Sequence, residues 1–344
     1  MKIANLMFAC GRGGVEQAFL DYCEALRLRG HDVTGFVHPD AWAAGRAQAM
    51  GISTVAVRNF GMYDPLAARR LRPHLQELKP DAVIIHGKRA LTLASRALDK
   101  TTPLISVVHN YWQPRTRRLS AIFCVSRDLL EHMARQGMPR PRLFHIPNMI
   151  HCERPFAPPA WHRPPIVGAM GRMVEKKGFD VFLRALKILV QEGCAFDAVL
   201  AGDGPERSKL EELSRKLGLA DRVRFPGWVE DRESFYRAID LFCLPSRHEP
   251  FGIVLLEAMA HGVPVVSTDS EGPGEIIASA DIAVMAKKDD AEALAAGLRL
   301  AMSDERASRE RAGRAYGHVR ASYSLAAVAE RIEAALLIVV QPEA

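Results

Sequence analysis

The sequence predicts an α/β protein made of two doubly wound parallel-sheet domains that face each other across a cleft, and three observations support this prediction. Short runs of apolar and β-branched residues alternate with helical patterns along the chain, which is typical of parallel sheets covered by helices on both faces. The alternation breaks once, in a proline-rich stretch near the middle. A chain of 344 residues is also long for one hydrophobic core.

Seven apolar runs in the first half predict seven strands: IANLMFA, HDVTGFV, STVAV, DAVIIH, PLISVVH, AIFCVS and RLFHIP. The first run is preceded by one lysine and extends only from Ile3 to Cys10, so a buried strand explains it better than a signal peptide. The helical pattern is clearest in VEQAFLDYCEALRLRG, where Ala18, Tyr22, Ala25 and Leu26 fall on one face.

The stretch 148–165, NMIHCERPFAPPAWHRPP, predicts a linker between domains at 1–160 and 161–320. The alternation then restarts with PIVGAMG, a helix from Gly178, FDAVLAG, a helix from Pro205, RVRFPG, IDLFCLP, a helix from about Gly252, VPVVST and DIAVM. The remaining stretch, 321–344, contains LAAVAERIEAALLIVV, which has the pattern of an amphipathic helix.

Composition excludes several classes of protein. With 48% hydrophobic and 25% charged residues the chain can build a core, and disorder is not indicated. No apolar run reaches about 18 residues, so the sequence predicts no transmembrane helix. The six cysteines are scattered without a C-x-x-C pair, which predicts reduced thiols in a cytoplasmic protein and neither disulfides nor a zinc site.

Charge is unevenly distributed between the halves. Residues 1–160 hold 22 Lys+Arg against 12 Asp+Glu, a net of +10, whereas the remainder holds 24 against 28, a net of −4. The first half is therefore predicted to meet an acidic partner: nucleic acid, anionic lipid or a phosphorylated glycan. Because no recognition helix or aromatic RNA motif accompanies the charge, nucleic acid is the least favoured of the three.

The segment RHEPFGIVLLEAMAHG at 247–262 places two glutamates around the start of a predicted helix. Free N–H groups at that start, from about Phe251 to Leu255, favour an anion, although Glu249 could instead be a helix-capping acid. Glu249 and Glu257 are eight residues apart, which is about 12 Å along a helix. Retaining glycosidases hold their carboxyls about 5–5.5 Å apart, so these two are predicted to have separate roles.

Three other loops follow predicted strands, where ligands of open α/β sheets bind. GAMGRMVEKKGFD brings Gly171, Arg172 and Lys177 to one loop, which suits a diphosphate but also an ordinary exposed turn. Gly202 lies in VLAGDGPER, a weak signal alone. Trp228 and Val229 in FPGWV could meet a base, and a core tryptophan is an equal alternative.

Taken in order, these blocks resemble the family 4 retaining glycosyltransferases of the GT-B fold. The matching segments are GGVEQAF, VVHN, FCVSRDLL, HIPN, GRMVEKKG, AGDGPER, FPGWV, HEPFGIVLLEAMAHGVPVV and GPGEII. The resemblance implies two Rossmann-like domains, the first binding an acceptor and the second a nucleotide sugar, with the final helix crossing back to the first. The chain departs from the family after HIPN, where Met149, Ile150 and His151 replace the usual Gly-Val-Asp.

The resemblance also implies roles for individual residues. Arg172 and Lys177 would hold the donor diphosphate, and Glu257 the ribose hydroxyls. The catalytic set would be His109, Arg172, Lys177 and Glu249. The donor-binding set would be Gly13, Gly14, Gly171, Gly202, Trp228, Val229, Phe251, Gly252, Ile253 and Glu257. Here Gly13 and Gly14 would permit close approach to the diphosphate, and His109 would face the reacting sugar.

The implied reaction is retaining hexosyl transfer from a nucleotide-diphosphate sugar, with a UDP-hexose favoured over GDP-mannose. Positive groups would stabilise the charge that grows on the diphosphate as the sugar leaves, so neither a metal nor another cofactor is expected. The chain has no Asp-x-Asp metal motif, and Asp289–Asp290 is interpreted as a helix cap.

The acceptor is expected to be an anionic glycan or glycolipid, such as a lipopolysaccharide core or an exopolysaccharide precursor. The predicted acceptor-binding residues are Asn110, Trp112, Arg115, Arg117 and Arg118, and the basic stretch AARRLRP adds positive charge. The same surface could contact an anionic membrane, or be only a solvated basic face. A sugar-nucleotide epimerase and a catalytically inactive relative are the alternatives to a transferase.

Overall fold

The computed structural model describes residues 1–61, 63–114 and 118–341. These residues form two compact units. Unit 1 is Met1–Met149 together with the chain from Ser324 onward, and unit 2 is Ile150–Tyr323. The predicted linker belongs largely to unit 2, because Ile150 N donates to the Tyr323 carbonyl at 2.9 Å and Phe156 packs against Tyr316 with ring centroids 5.6 Å apart.

Unit 1 contains the seven predicted strands, all parallel, in the order β3-β2-β1-β4-β5-β6-β7. They are β1 (Lys2–Met7), β2 (Asp32–Val37), β3 (Ser53–Ala56), β4 (Ala82–His86), β5 (Leu104–Val108), β6 (Ala121–Cys124) and β7 (Leu143–His145). The opening run is thus a central strand, buried from Ile3 to Met7, as predicted.

The described helices of unit 1 are α1 (Gly14–Leu28), α2 (Trp42–Ala49), α3 (Pro65–Leu78), α4 (Lys88–Ala97), α5 (Arg127–Arg135), a 3-10 turn (Arg140–Arg142) and, from the end of the chain, α13 (Leu325–Val340). The predicted apolar face of α1 is buried. Helix α13 packs against α1, where Arg29 pairs with Glu333 at 2.6 Å.

Unit 2 holds a parallel sheet in the order β10-β9-β8-β11-β12-β13. Its strands are β8 (Ile166–Met170), β9 (Asp197–Ala201), β10 (Val223–Gly227), β11 (Leu241–Leu244), β12 (Val265–Thr268) and β13 (Val284–Ala286). Its helices are α6 (Phe179–Gln191), α7 (Arg207–Lys216), α8 (Arg232–Arg237), α9 (Ile253–Ala260), α10 (Glu271–Ile276), α11 (Ala291–Ser303) and α12 (Glu305–Ser322), with a 3-10 turn at Glu175–Lys177.

Both sheets are doubly wound, because in each the strand order reverses beside a central strand. The core of unit 2 is apolar and includes Val167, Phe182 and Leu241, each fully buried. Four of the six cysteines are buried as free thiols, whereas Cys10 is exposed and Cys194 half-buried. Across 1–61, 63–114 and 118–341, none of the helices has the length and apolar character needed to span a bilayer.

Candidate functional site

The loops that follow β8, β9 and β10 in unit 2 touch one another through their backbones. Gly202 N donates to the Gly227 carbonyl at 2.7 Å, and Gly171 N donates to the Ala201 carbonyl at 3.1 Å. Gly202 has φ +125°, and a Cβ placed there would lie 2.0 Å from the Gly171 carbonyl oxygen. Only glycine fits this contact, so the predicted Gly171 and Gly202 lie side by side at the carboxyl edge of the sheet.

Two cations extend from the first of these loops. Arg172 is exposed, and its guanidinium makes no hydrogen bond or ion pair with any residue that the structure describes. Lys177 ends the 3-10 turn, and its ammonium group pairs with the carboxylate of Glu249. A Cβ on Gly171 would lie 3.7 Å from Lys177 Cε. The absence of a side chain there leaves room beside the lysine.

Glu249 lies just before α9, at the end of the loop after β11. It is 9% exposed, its carbonyl accepts from Gly272 N at 2.8 Å, and its own N–H donates to Glu271 Oε2 at 3.1 Å. Helix α9 begins at Ile253 after Gly252, which has φ +102°, a conformation that favours glycine.

No side chain among the described residues caps the start of α9. The Leu255 N–H, predicted to be free, donates to the Gly252 carbonyl at 2.9 Å, because the first turn tightens to an i to i+3 bond. The N–H groups of Phe251, Gly252 and Ile253 have no acceptor in the described part of the chain. Such groups, with the helix dipole, attract an anion.

Arg247 fixes the position of this loop relative to the lysine turn. Its guanidinium donates to Asp180 Oδ1 and Oδ2 at 2.7 and 2.8 Å, to Asp289 at 2.7 Å and to the Glu175 carbonyl at 3.0 Å. Burial works against ionisation of Asp180, but the hydrogen bonds and charges of Arg247 and Arg184 together hold its pKa at about 2. Asp290 caps α11 by accepting from Ala293 N, so the predicted cap is confirmed for Asp290, whereas Asp289 pairs with Arg247.

Glu257 lies in the second turn of α9 and is 6% exposed. One carboxylate oxygen pairs with Arg232 at the start of α8, and the other lies 2.9 Å from the Tyr236 hydroxyl. Burial and this negative charge raise the pKa of Tyr236 well above its usual value. A carboxylate has about four acceptor positions, so Glu257 can take further hydrogen bonds.

A cavity of about 760 Å³ opens beside Glu257. It is lined by α8, the end of α9 and the segment 150–160. Trp228 and Val229 precede α8, and Trp228 is 45% exposed. The alternative of a core tryptophan is therefore wrong, because this indole is open to solvent.

Unit 1 carries the remaining predicted residues. Gly13 precedes α1 with φ −167°, an extended conformation open to any residue, and Gly14 begins that helix. The structure gives Gly13 no conformational requirement for glycine, so only close approach by a ligand would demand it.

His109 directly follows β5, and its Nε2 lies 3.2 Å from Nδ1 of His86, the last residue of β4. His86 Nε2 lies 3.0 Å from Asn5 Oδ1. Burial lowers the pKa of His109 to about 4, against a smaller opposing effect of Asn148. His109 therefore holds one ring proton at neutral pH.

The predicted acceptor residues have different surroundings. Asn110 is exposed and accepts from Trp112 N at 3.0 Å. The guanidinium of Arg118 donates to the carbonyls of Thr102, at 3.0 Å, and Asp99, so it stabilises a turn. Arg115 and Arg117 lie outside the described residues. Trp112 borders a cavity of about 630 Å³, whose lining also includes Tyr63, Lys88, Tyr111 and His132.

Sequence reasoning did not single out Arg247, Arg232, His86 and Asn5. For His86 and Asn5 a signal was present, because each is a polar residue within an apolar run that predicts a buried strand. For the two arginines there was none, since each acts on an acid distant in sequence.

The chain matches two family models: Glycosyltransferase Family 4 over residues 12–154 and Glycosyl transferases group 1 over residues 153–317. It is 32% identical over 321 residues to the lipopolysaccharide core biosynthesis glycosyltransferase LpsE of Rhizobium meliloti (strain 1021), covering 88% of this chain and 89% of that protein. The lipopolysaccharide core biosynthesis glycosyltransferase LpsD of the same organism is 30% identical over 323 residues, with 90% of each chain covered.

Among solved structures, the chain is similar to Anabaena HepE in complex with UDP and glucose. The TM-score is 0.83 at 20% sequence identity, with 98% of this chain and 99% of that chain covered. A likeness at this identity concerns the fold: two parallel-sheet α/β domains, the GT-B architecture. The matched families and these relatives leave the epimerase alternative without support.

Proposed function

We propose that this chain, which belongs to the family 4 glycosyltransferases, transfers a hexose from a nucleotide-diphosphate sugar to a glycan or glycolipid acceptor. A UDP-hexose is the favoured donor. HepE, similar in fold, is described with UDP and glucose. Lipopolysaccharide core is the favoured acceptor, because LpsE and LpsD are named for core biosynthesis.

One observation carries the donor assignment: two cations and an uncapped helix start belong to the same carboxyl edge of one sheet. Lys177 touches Glu249, and Glu249 lies four residues before α9, whose first amides lack acceptors among the described residues. A diphosphate carries the charge that such a group of donors would bind. In the unliganded chain Glu249 compensates the charge of Lys177.

Binding of the donor would exchange these partners. The diphosphate would take over the ammonium group of Lys177, and Glu249 would become free to accept hydrogen bonds from sugar hydroxyls. Glu257 would accept from the ribose, and Trp228 would contact the base.

In the reaction, the bond between the anomeric carbon and the diphosphate oxygen breaks, and the acceptor oxygen forms the new bond to that carbon. The acceptor hydroxyl gives its proton to the leaving phosphate, on the same face, so configuration is retained. Arg172, Lys177 and the α9 amides stabilise the charge of the leaving group. These donors supply the charge stabilisation without a metal, so we expect activity to persist in EDTA.

Calorimetric titration with UDP, GDP, ADP and UMP tests the donor site. We expect UDP to bind most tightly and UMP, which lacks the second phosphate, to bind more weakly. Arg172→Ala and Lys177→Ala should each weaken UDP binding by about 10-fold to 100-fold, the value of a hydrogen bond to a charged group. Lys176→Ala, a change at the adjacent exposed lysine, is the matched control. Unchanged UDP affinity in Lys177→Ala would refute the assignment.

For the acceptor we propose the cavity beside Trp112 in unit 1. Lys88 Nζ lies 5.5 Å from the centre of the Trp112 ring, and Tyr111 packs edge-on to His132 at 5.1 Å. Aromatic faces beside a cation suit a sugar ring that carries an anionic group. Unit 1 also contains most of the half of the chain with the +10 excess.

Acceptor kinetics with phosphorylated and dephosphorylated core oligosaccharides test this proposal. Lys88→Ala should lower kcat/KM for the phosphorylated acceptor about 10-fold or more, with UDP affinity unchanged. Trp112→Ala should affect both acceptors, and Trp112→Phe, which keeps a ring, should retain most activity. Equal loss on both acceptors in Lys88→Ala would contradict the anionic specificity.

Contact of the basic surface with an anionic membrane is tested by sedimentation with liposomes. Binding that does not depend on the content of anionic lipid would exclude such a contact.

A further inference from the structure

Three polar side chains in unit 1 form a continuous hydrogen-bonded line that ends at His109. Asn5 and His86 are 0% and 2% exposed, and His109 is half-buried. Asn5 Oδ1 lies 3.0 Å from His86 Nε2, and His86 Nδ1 lies 3.2 Å from His109 Nε2. Asn5 and His86 belong to the central strands β1 and β4. Of the three side chains, only that of His109 is accessible to solvent.

The proton positions follow from the Asn5 end of the line. Asn5 Nδ2 lies 3.0 Å from the Phe19 carbonyl oxygen and 3.2 Å from Cys23 Sγ. A carbonyl oxygen can only accept a hydrogen bond, so the amide nitrogen must face Phe19 and the amide oxygen must face His86. The His86 Nε2 atom therefore carries a hydrogen and donates it.

The tautomer of His86 in turn determines which ring nitrogen of His109 carries the hydrogen. Burial lowers the pKa of His86 well below its usual value, with a further contribution from His109, so the ring is neutral. A neutral imidazole with its hydrogen on Nε2 has a lone pair on Nδ1. That lone pair accepts from His109, whose Nε2 must carry the hydrogen.

The aromatic surroundings hold the rings in this arrangement. The rings of His86 and His109 are nearly coplanar, with centroids 5.5 Å apart and an angle of 21° between the planes, as a hydrogen bond between two ring nitrogens requires. Tyr22 and Phe19 meet the His86 ring edge-on, at 5.1 and 6.0 Å. A turn of the His86 ring out of its plane would break its hydrogen bonds to Asn5 and His109 and its contacts with Tyr22 and Phe19 together.

We propose that Asn5 and His86 are positioning residues that hold His109 in its Nε2–H tautomer, so that Nδ1 offers a hydrogen-bond acceptor to a hydroxyl group of the substrate. The identity of that substrate as a sugar rests on the proposed function, whereas the tautomer is a property of the chain alone. An acceptor at this position favours a hydroxyl and disfavours a deoxy or fluoro substituent, neither of which can donate.

The tautomer can be observed directly by NMR in the full-length protein labelled with ¹⁵N-histidine, near neutral pH and without substrate. Couplings between ring nitrogens and ring protons distinguish the two neutral tautomers from the imidazolium. The signals of His109 are those lost in His109→Gln. We expect one hydrogen, on Nε2. A hydrogen on Nδ1, or on both nitrogens, would overturn the proposal.

Two variants separate positioning from folding. His86→Phe keeps a ring but removes the acceptor, so His109 should become a mixture of tautomers and turnover should fall about 10-fold to 100-fold, as for other orienting partners, with UDP affinity unchanged. Cys23→Ser leaves the Phe19 contact of Asn5 intact and should keep the wild-type tautomer and rate. A folded His86→Phe protein with mixed tautomers and wild-type turnover would overturn the positioning role.

The two proposals can fail separately. Failure of the wild type to bind any nucleotide would overturn the proposed function and leave the tautomer assignment standing.

Discussion

Glu249 and Glu257 belong to one short segment, yet the chain compensates their charges with different kinds of partner. Glu249 pairs with Lys177, a cation of the loop after β8 that we assign to the diphosphate. Glu257 pairs with Arg232 and contacts Tyr236, both of α8. Removal of Glu249 therefore frees Lys177, whereas removal of Glu257 leaves an arginine and a buried hydroxyl without their acceptor.

This difference predicts unequal effects on nucleotide binding. Glu257→Ala should weaken UDP binding about 10-fold to 100-fold, through the loss of charge-assisted hydrogen bonds to the ribose. Glu249→Ala should leave UDP affinity unchanged or increase it, because Lys177 loses its competing partner, while turnover falls about 100-fold or more. Calorimetry with UDP and initial rates with the UDP-sugar measure the two effects.

Glu212→Ala, on the exposed face of α7, is the control for a general effect of removing an acid. Equal losses of UDP affinity in Glu249→Ala and Glu257→Ala would contradict separate roles for the two carboxylates.

At the scale of elements, strands and helices could be predicted because their signals are local. Each strand of unit 1 is an apolar run between turn residues, and the apolar face of α1 repeats at the helical period. The order of strands in the sheet and the division near residue 150 depend on contacts between distant residues. The bond from Ile150 to Tyr323, which attaches the linker to unit 2, is one such contact.

For the site, too, local motifs could be predicted from the sequence and contacts between distant residues could not. The glycine turns of Gly171 and Gly202, the cations and both glutamates are visible as motifs, because their chemistry requires particular residue types at short spacing. The contact of Gly202 with the Gly171 backbone could not be predicted, since it joins loops after different strands. Arg247 was missed for the same reason: it is defined by Asp180 and Asp289, 67 and 42 residues away.

At the scale of the whole molecule, the two halves of the chain differ in how their charges are arranged. In unit 2 three of the four cations of the site are compensated before any ligand binds, since Lys177, Arg232 and Arg247 each have an acidic partner. Paired charges avoid the repulsion that a cluster of free cations would cause. Residues 1–160 instead carry a net charge of +10, which suits the proposed recruitment of an anionic acceptor from solution or from a membrane surface.

The same internal pairing makes the stability of the molecule depend on pH. The pKa of Asp180 is about 2 in the folded chain, below its ordinary value of 3.8, because burial is outweighed by the combined hydrogen bonds and charges of Arg247 and Arg184. A carboxylate with a lowered folded pKa stabilises the native state above its unfolded pKa, and this contribution is lost as the pH falls toward the folded value. The stabilisation that Asp180 contributes is therefore lost between about pH 4 and about pH 2.

We therefore expect Asp180→Asn to lower the free energy of unfolding at pH 7 by about 1–2 kcal/mol, a value reduced for the partial exposure of the pair. The difference from wild type should narrow below about pH 4, because protonation removes the same charge from the wild-type side chain. Urea unfolding of both proteins between pH 7 and pH 3 measures this, with Asp221→Asn, at an exposed aspartate, as the control. A difference that stays constant over this range would show that Asp180 stabilises the fold through its shape and not through its charge.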